Sequence, residues 1–192
     1  MSDAFAYLSV LLSIILGLAI AEVLLGYKSL LLARGSLTLY APPLIWSATM
    51  LVLAIHFWWA SFGLANRENW DFAAFTAVLM QTVMMFMGAS LLLPKTPPGQ
   101  SLDLRAHYYR EAGPFFSFGL LFIVFGFIKD WLLDQRILGG GLPMAFFLLF
   151  LGMTLLALFV RKPRVHEILA PVMALAILLF IGMMFAKLGK FQ

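Results

Sequence analysis

Six long apolar runs follow one another along the chain, separated by short segments that contain proline, glycine or charged residues. A helix needs about 20 apolar residues to cross a hydrocarbon core about 30 Å thick, whereas the strands of a membrane barrel carry polar residues at every second position. The unbroken runs therefore predict an all-α, polytopic membrane protein with one transmembrane domain. Its six predicted spans are roughly residues 5–27, 43–64, 72–93, 114–133, 142–160 and 166–187 of 1–192.

Prolines and glycines mark several of these boundaries. Pro43 and Pro114 each stand at the start of a span, where a missing backbone N–H is tolerated, and Pro94 closes the third span. The glycine triplet 139–141 breaks the chain before the fifth. Residues 19–21 have the small–x–small form of a signal-peptide cleavage site, but no positive charge precedes the run, so we interpret it as a retained span.

The composition also supports a membrane protein and limits the kinds of partner that the chain is expected to bind. Of the 192 residues, 63% are hydrophobic and 11% are charged, against roughly 25% charged in a typical soluble domain. The absence of cysteine excludes disulfides and thiolate metal sites. The formal net charge of +4 is spread over short loops. This pattern suits the anionic headgroups of a lipid bilayer and does not indicate nucleic-acid binding.

The distribution of Lys and Arg predicts an orientation, because cytoplasmic loops carry an excess of these residues. The first, third and fifth loops hold eight of the thirteen, namely Lys28, Arg34, Lys95, Arg105, Arg110, Arg161, Lys162 and Arg164. We therefore predict that these loops are cytoplasmic and that both termini are not. The compact cluster of Arg161, Lys162 and Arg164 is a candidate contact with lipid headgroups. Residues 102–110 are expected to lie in the interface as a short helix.

A weak internal similarity relates the first span to the fourth. Aligning them pairs Gly17 with Gly126 and Glu22 with Asp130. Two copies of a three-span unit have opposite orientations, an arrangement found in many secondary transporters. The sequence thus raises the hypothesis of two inverted three-helix repeats. The alternative is that any two spans rich in Leu and Phe can be aligned this way.

Two polar side chains lie deep in the predicted spans. His56 is about eight residues and Gln81 about nine residues from the same outer end of their helices, which places both roughly 12 to 14 Å deep. At equal depth they could hydrogen-bond directly or through water. Because histidine changes charge near neutral pH, His56 is a candidate for proton titration or ligand contact. The alternative is a neutral imidazole that ties two helices together through Gln81.

Further polar residues complete a candidate path for a ligand or a proton. Glu22 is a candidate proton or cation site near the inner end of its span; the alternative is a carboxylate that reaches interfacial water or pairs with Lys28. Because the last three spans contain few polar residues, we place the site among the first three and expect the others to face lipid or a neighbouring subunit. The predicted path consists of His56, Gln81, Glu22, Thr49 and Ser13.

No motif in the chain indicates catalysis. The sequence has no Gly-x-Ser-x-Gly, no HExxH and no phosphate-binding loop. The methionines of the third span point in several directions around the helix and fit packing better than a soft-metal site. Only His56 lies deep in a span, which disfavours a haem held between helices. We therefore predict a protein that is not an enzyme and that has no metal or other cofactor.

Three short stretches carry a resemblance. HFWWASFG (His56 to Gly63), LLLP (Leu91 to Pro94) and DLRAHYYR (Asp103 to Arg110) resemble segments of uncharacterised small polytopic proteins of bacterial inner membranes. The resemblance covers roughly the first two thirds of the chain. It implies a bacterial inner membrane as the location, and no activity comes with it.

The sequence leaves two functions open. The first is a channel or carrier for a small solute or ion, with or without proton coupling, whose site includes His56 and Gln81. The alternative is a non-catalytic accessory or scaffold subunit of a larger membrane complex, or a homo-oligomer, that uses apolar faces to meet partner helices. A carrier needs a cavity that reaches His56, whereas a scaffold needs only a packed core and an apolar docking face.

Overall fold

The computed structural model describes residues 3–65, 67, 70–95, 101–134 and 141–188, so Gly139 and Gly140 of the glycine triplet lie outside the described residues. The architecture is all-α, and six of its helices are long and apolar enough to cross a membrane, which confirms this part of the prediction. The helices are α1 (Asp3–Leu32), α2 (Ala41–Ser61), α3 (Phe72–Leu92), α4 (Leu104–Asp134), α5 (Leu142–Phe159) and α6 (Pro163–Leu188). Single 3₁₀ turns follow α1 (Arg34–Ser36) and α2 (Phe62–Leu64), and two short strands, β1 (Leu37–Thr38) and β2 (Leu102–Asp103), pair in parallel.

Local sequence signals explain where three helices begin. Prolines occupy the first turn of α2, where no intrahelical partner for the backbone N–H is needed. The Asp71 carboxylate accepts a hydrogen bond from the backbone N–H of Ala74 at 2.6 Å and so caps α3. Asp103 caps α4 in the same way, accepting from the N–H groups of Arg105 at 2.9 Å and Ala106 at 3.0 Å.

Helix α4 differs from the prediction at its start. It begins at Leu104 and runs through Pro114, which lies inside the helix. Residues 104–113 therefore form the first turns of α4 and are not a separate interfacial helix. A proline within a helix costs one backbone hydrogen bond and bends the axis, but the cap at Asp103 and the packing of these turns against neighbouring helices keep the helix continuous.

The six helices alternate in direction. Strands β1 and β2 hold the loops after α1 and α3 together, and a hydrogen bond between Tyr108 and His166 places the start of α4 beside the start of α6. We call this the basic end, because its loops carry most of the Lys and Arg residues. At the opposite, terminal end, Arg67 in the loop after α2 donates to the carbonyl of Leu133 near the end of α4, at 2.6 Å.

Five helices form a closed ring in the order α2, α3, α4, α5, α6 and back to α2, and α1 packs on the outside of this ring against α2 and α3. Helices α1 and α3 cross closely at the basic end, where Gly26 lies directly against the Cβ of Leu93. The largest hydrophobic core also lies towards the basic end and includes Trp46, Leu104 and Phe116. The other end of the ring is less tightly filled, and an interior cavity remains between α2, α3, α4, α5 and α6.

Candidate functional site

The cavity inside the ring is the main candidate site. Its volume is about 510 Å³, within the range of about 300–1,000 Å³ usual for small-molecule sites. Along α2 it extends from Trp46 to Ser61, which corresponds to about 22 Å at 1.5 Å per residue. The cavity is therefore long and narrow, and its length is most of the ~30 Å thickness of a hydrocarbon core.

Aromatic rings from four helices line much of the cavity. Trp46 of α2 packs edge-on against Phe115 and Phe116 of α4, each with ring centroids 5.5 Å away. Phe57 of α2 lies 5.9 Å from Phe122 of α4. The remaining aromatic lining residues are Phe118, Phe127, Phe146, Phe147, Phe150 and Phe180. Such a wall offers ring faces and edges to a bound molecule and little that could solvate an ion.

Polar side chains interrupt this wall at three depths. At the terminal end Lys129 and Asp130 form an ion pair with Nζ and Oδ1 3.2 Å apart. Near the middle His56 and Gln81 line the cavity, and Thr154 of α5 lines it closer to the basic end. The positive and negative charges at the terminal end offset each other, so the cavity carries no net charge from this pair.

Gln81 is the most unusual of these residues. Its side chain is only 6% exposed, and its carboxamide oxygen Oε1 accepts no hydrogen bond from any described residue. The amide nitrogen lies against Gly126 of α4, where a Cβ would be only 2.6 Å from Nε2. The absence of a side chain at Gly126 thus makes room for Gln81 at the α3–α4 contact, where its Oε1 is buried with no donor among the described residues.

His56 lies at a similar depth on α2. Its ring is half-buried and stands edge-on to Phe180 of α6, with centroids 6.2 Å apart and planes at 82°. His56 and Gln81 thus line the same cavity, as their equal depth suggested, but Gln81 makes no hydrogen bond to His56. A small molecule between α2 and α3 would therefore meet both side chains.

The three other predicted path residues lie outside the lining. Glu22 forms an ion pair with Lys95 at the crossing of α1 and α3, so its partner is Lys95 and not Lys28. The Thr49 hydroxyl donates to the carbonyl of Ile45 in its own helix at 2.8 Å. Ser13 is exposed on α1, where it donates to the carbonyl of Ser9 at 2.8 Å and accepts from the indole N–H of Trp58 at 3.2 Å.

The cavity also involves other helices than the sequence indicated. We expected it among the first three spans, but α1 contributes no lining residue, while α4, α5 and α6 contribute many. We placed the site in the spans that contain the most polar residues. That criterion missed α4, α5 and α6, because many of the side chains that they contribute to the cavity wall are aromatic. Lys129 and Asp130 lie near the outer end of the predicted fourth span, and the packing of α4 against α3 and α5 brings them to the cavity.

A second buried polar group lies at the basic end and was missed. His166 is only 1% exposed, although it stands at the first residue of the predicted sixth span, beside three basic residues. Its Nε2–H donates to the carbonyl of Val160 and its Nδ1 accepts from the hydroxyl of Tyr108, both at 2.8 Å. Arg161, Lys162 and Arg164 are exposed around it. In the sequence, the adjacent residues Tyr108 and Tyr109 could have indicated a hydrogen-bonding partner for His166, but only if α4 had been predicted to begin at Leu104.

Tyr40 extends this basic-end cluster. Its hydroxyl shares a hydrogen bond of 2.8 Å with that of Tyr109, and the Arg105 guanidinium lies 5.7 Å from the centre of its ring. Burial, and after it the hydrogen bond with Tyr109, raises the pKa of Tyr40 above its ordinary value, so the phenol is neutral. Two hydrogen-bonded pairs, Tyr40–Tyr109 and Tyr108–His166, thus connect α4 to the residue before α2 and to α6, and their rings are in contact.

Comparisons with protein-family models, with curated proteins and with solved structures find no match to this chain. Within the described ranges, no group of three or more His, Asp or Glu residues is placed to hold a metal ion. The cavity and its lining residues are therefore the features that bear on function.

Proposed function

We propose that the chain is a multi-pass protein of a bacterial inner membrane, with both termini outside the cytoplasm. Six apolar helices support this location. Large apolar side chains such as Leu18, Leu148 and Leu175 are exposed on the outer faces of three different helices, where lipid would cover them. The exposed Arg161, Lys162 and Arg164 would face anionic headgroups at the cytoplasmic surface.

Within that membrane, we propose that the protein is a carrier for a small amphiphile. The observation that supports this function is the long cavity, whose apolar wall is interrupted by polar groups at three depths. An amphiphile needs such a path, because its polar end is costly to bury in lipid without hydrogen-bonding partners. Lys129 with Asp130, then His56 with Gln81, then Thr154 would provide successive contacts.

Of the two kinds of cargo that the sequence left open, the cavity favours a solute over an ion. A conducted ion must exchange its water for fixed polar ligands along the whole path. In this cavity the polar groups are separated by stretches lined with phenylalanine, and the two charged residues among the described lining are paired with each other. A molecule that is itself mostly apolar would be stabilised by these stretches.

We further propose that transport is coupled to protons through His56. Histidine changes charge near neutral pH, and this one lines the cavity at mid-depth. In proteoliposomes loaded with a pH-sensitive dye, imposed pH and potassium gradients should drive a proton flux. His56→Ala should reduce that flux to the level of protein-free vesicles, because His56 is the one histidine among the described lining residues.

His107→Ala is the matched control for this experiment. His107 lies on α4 near the basic end, where its Nε2 contacts the carbonyl of Leu91 at 3.1 Å, and it does not line the cavity. The control should retain the native flux. Equal fluxes in the two variants would remove His56 from the proton path, and no flux in the native protein would rule out proton coupling.

The alternative, a non-catalytic accessory subunit of a larger complex or a homo-oligomer, is favoured by one observation. Ser13, Gly17 and Ala21 form an exposed stripe on α1, and a Cβ at Gly17 would meet no atom within 4 Å. Small residues at such spacing let a second helix approach closely in a membrane. On this alternative the cavity would hold a structural lipid and no proton flux would be observed.

The inverted repeat stays a hypothesis. Helices α1 and α3 pack closely, whereas their counterparts α4 and α6 are not among the closely packed pairs of the described residues. The carrier proposal therefore uses the cavity alone and does not depend on a duplication.

A further inference from the structure

We infer that the cavity binds a single-chain amphiphile, with an uncharged headgroup at Lys129 and Asp130 and a tail of about 16 carbons that ends at Trp46. This inference rests on the proposed function for the choice of an amphiphile, but it concerns how the molecule is bound and not its movement. The ligand class is lipids with one hydrocarbon chain and a headgroup rich in hydroxyl groups, such as a sugar.

The cavity is one hydrocarbon chain wide. Its volume of about 510 Å³ holds about 17 methylene groups, since each takes up about as much space as one water molecule in the liquid, roughly 30 Å³. On α4 the lining extends from Lys129 to Phe116, which corresponds to about 20 Å at 1.5 Å per residue. An extended chain advances about 1.2 Å per bond, so about 16 bonds cover this length. Because volume and length give nearly the same number of carbons, a second chain has no room.

The two ends of the cavity differ in exposure and polarity. At the terminal end the side chains of Lys129 and Asp130 are 23% and 39% exposed, so the cavity reaches the protein surface there. At the basic end Trp46 and Phe116 are only 4% and 2% exposed and belong to the largest hydrophobic core. A polar headgroup among these rings would lose its hydration at a large cost. The headgroup therefore lies at the terminal end, and the tail points to Trp46.

The ion pair at the terminal end determines the charge of the headgroup. Lys129 Nζ and Asp130 Oδ1 are 3.2 Å apart, so an anionic headgroup that approaches the ammonium group also meets the carboxylate, which repels it. A hydroxyl group can accept a hydrogen bond from the ammonium group and donate one to the carboxylate. It does both without separating the pair, so an uncharged headgroup with several hydroxyl groups fits this position.

Two photoreactive probes of different length test the position of the chain. Native protein in lipid nanodiscs would be labelled with hexadecyl glucoside or decyl glucoside, each carrying a diazirine on its penultimate carbon, and labelled residues would be identified by mass spectrometry. The long probe should label Trp46 or Phe116. The short probe should label Met85 or Phe122, which pack together about 10 Å along α4 from Lys129. Trp46, Phe116 and Met85 are buried, so a probe dissolved in the surrounding lipid does not reach them.

Gly119→Phe separates the two levels within one variant. Gly119 lines the cavity one turn from Phe116 and one turn from Phe122, so the new ring would block the chain between them. The long probe should no longer label Trp46 or Phe116. The short probe should still label Met85, which also shows that the variant is folded.

Competition tests the headgroup. Unlabelled hexadecyl glucoside should displace the long probe from the native protein, whereas hexadecyl sulfate should need about a tenfold higher concentration because Asp130 repels it. Asp130→Asn keeps the size of the side chain but leaves Lys129 without its counter-charge. In this variant the sulfate should displace the probe at least as well as the glucoside.

Each other outcome overturns a part of the inference. Labelling of the same residues by both probes would exclude a chain that extends to Trp46, and labelling of Trp46 by the short probe alone would reverse its direction. Labelling confined to lipid-facing residues would exclude the cavity as the binding site. Equal competition by the two amphiphiles in the native protein, or an unchanged preference in Asp130→Asn, would exclude the role of the ion pair. Labelling requires binding only, so it can fail while the transport experiments succeed, and the reverse.

Discussion

Replacing His166 with Phe should lower the free energy of unfolding by about 2 to 6 kcal/mol, since a buried and a part-buried partner each lose a hydrogen bond, at about 1–3 kcal/mol each. The two partners are the carbonyl of Val160 and the hydroxyl of Tyr108. Phe preserves the ring that packs among Tyr108, Tyr109 and Phe116, so the loss would reflect hydrogen bonding. Unfolding of the purified protein by a denaturing detergent measures the change.

A double-mutant cycle separates this loss from a general packing defect. Tyr108→Phe alone should cost about 1 kcal/mol. In the His166→Phe background it should cost nothing or restore part of the lost stability, because it removes the buried hydroxyl that His166→Phe left without a partner. Glu167→Gln, at the exposed neighbouring position, should leave stability unchanged. Additive losses for Tyr108→Phe and His166→Phe would contradict the hydrogen bond between these residues.

Substituting Ala at two glycines of α1 should change stability in opposite directions. At Gly26 a Cβ would collide with the Cβ of Leu93 at the crossing with α3. Because that atom is attached directly to the backbone of its own helix, the two helices must separate, and overpacking of this kind typically costs 1–3 kcal/mol. The Glu22–Lys95 ion pair at the same crossing would be disturbed as well.

Gly17→Ala provides the comparison within the same helix. A Cβ at Gly17 meets nothing within 4 Å, so this substitution should leave stability unchanged or raise it by up to about 1 kcal/mol through helix propensity. Thermal unfolding in the same detergent would compare both variants with the native protein. A similar effect at the two positions would mean that α1 does not cross α3 closely at Gly26.

The sequence was most informative about the number and type of the long elements. Six apolar runs of membrane-spanning length predict six helices because length and hydrophobicity are local properties, and the structure has six such helices. The start of α4 was misplaced because Pro114 is compatible both with a first turn and with a bent helix interior. Only the capping contacts of Asp103 distinguish the two.

The candidate site was partly predictable for a related reason. Equal depth in neighbouring helices brought His56 and Gln81 to one cavity, because depth follows from residue number. Residue number does not, however, determine how each helix is rotated about its own axis. The Thr49 hydroxyl therefore donates to a backbone carbonyl of its own helix, and Glu22 forms an ion pair with Lys95. The burial of His166 depends on contacts with Tyr108, which is 58 residues away in the chain.

Movement of an amphiphile between leaflets tests the central claim most directly. Proteoliposomes would carry an alkyl glucoside tagged with a nitrobenzoxadiazole fluorophore, and dithionite added outside would reduce the outer-leaflet fraction. Native protein should expose the inner-leaflet fraction to reduction as well, faster than in protein-free vesicles. Gly119→Phe should abolish this movement, since Gly119 lines the cavity, whereas Gly152→Phe on the exposed face of α5 should not. Reduction limited to the outer leaflet with native protein, or unchanged by Gly119→Phe, would contradict transport through the cavity.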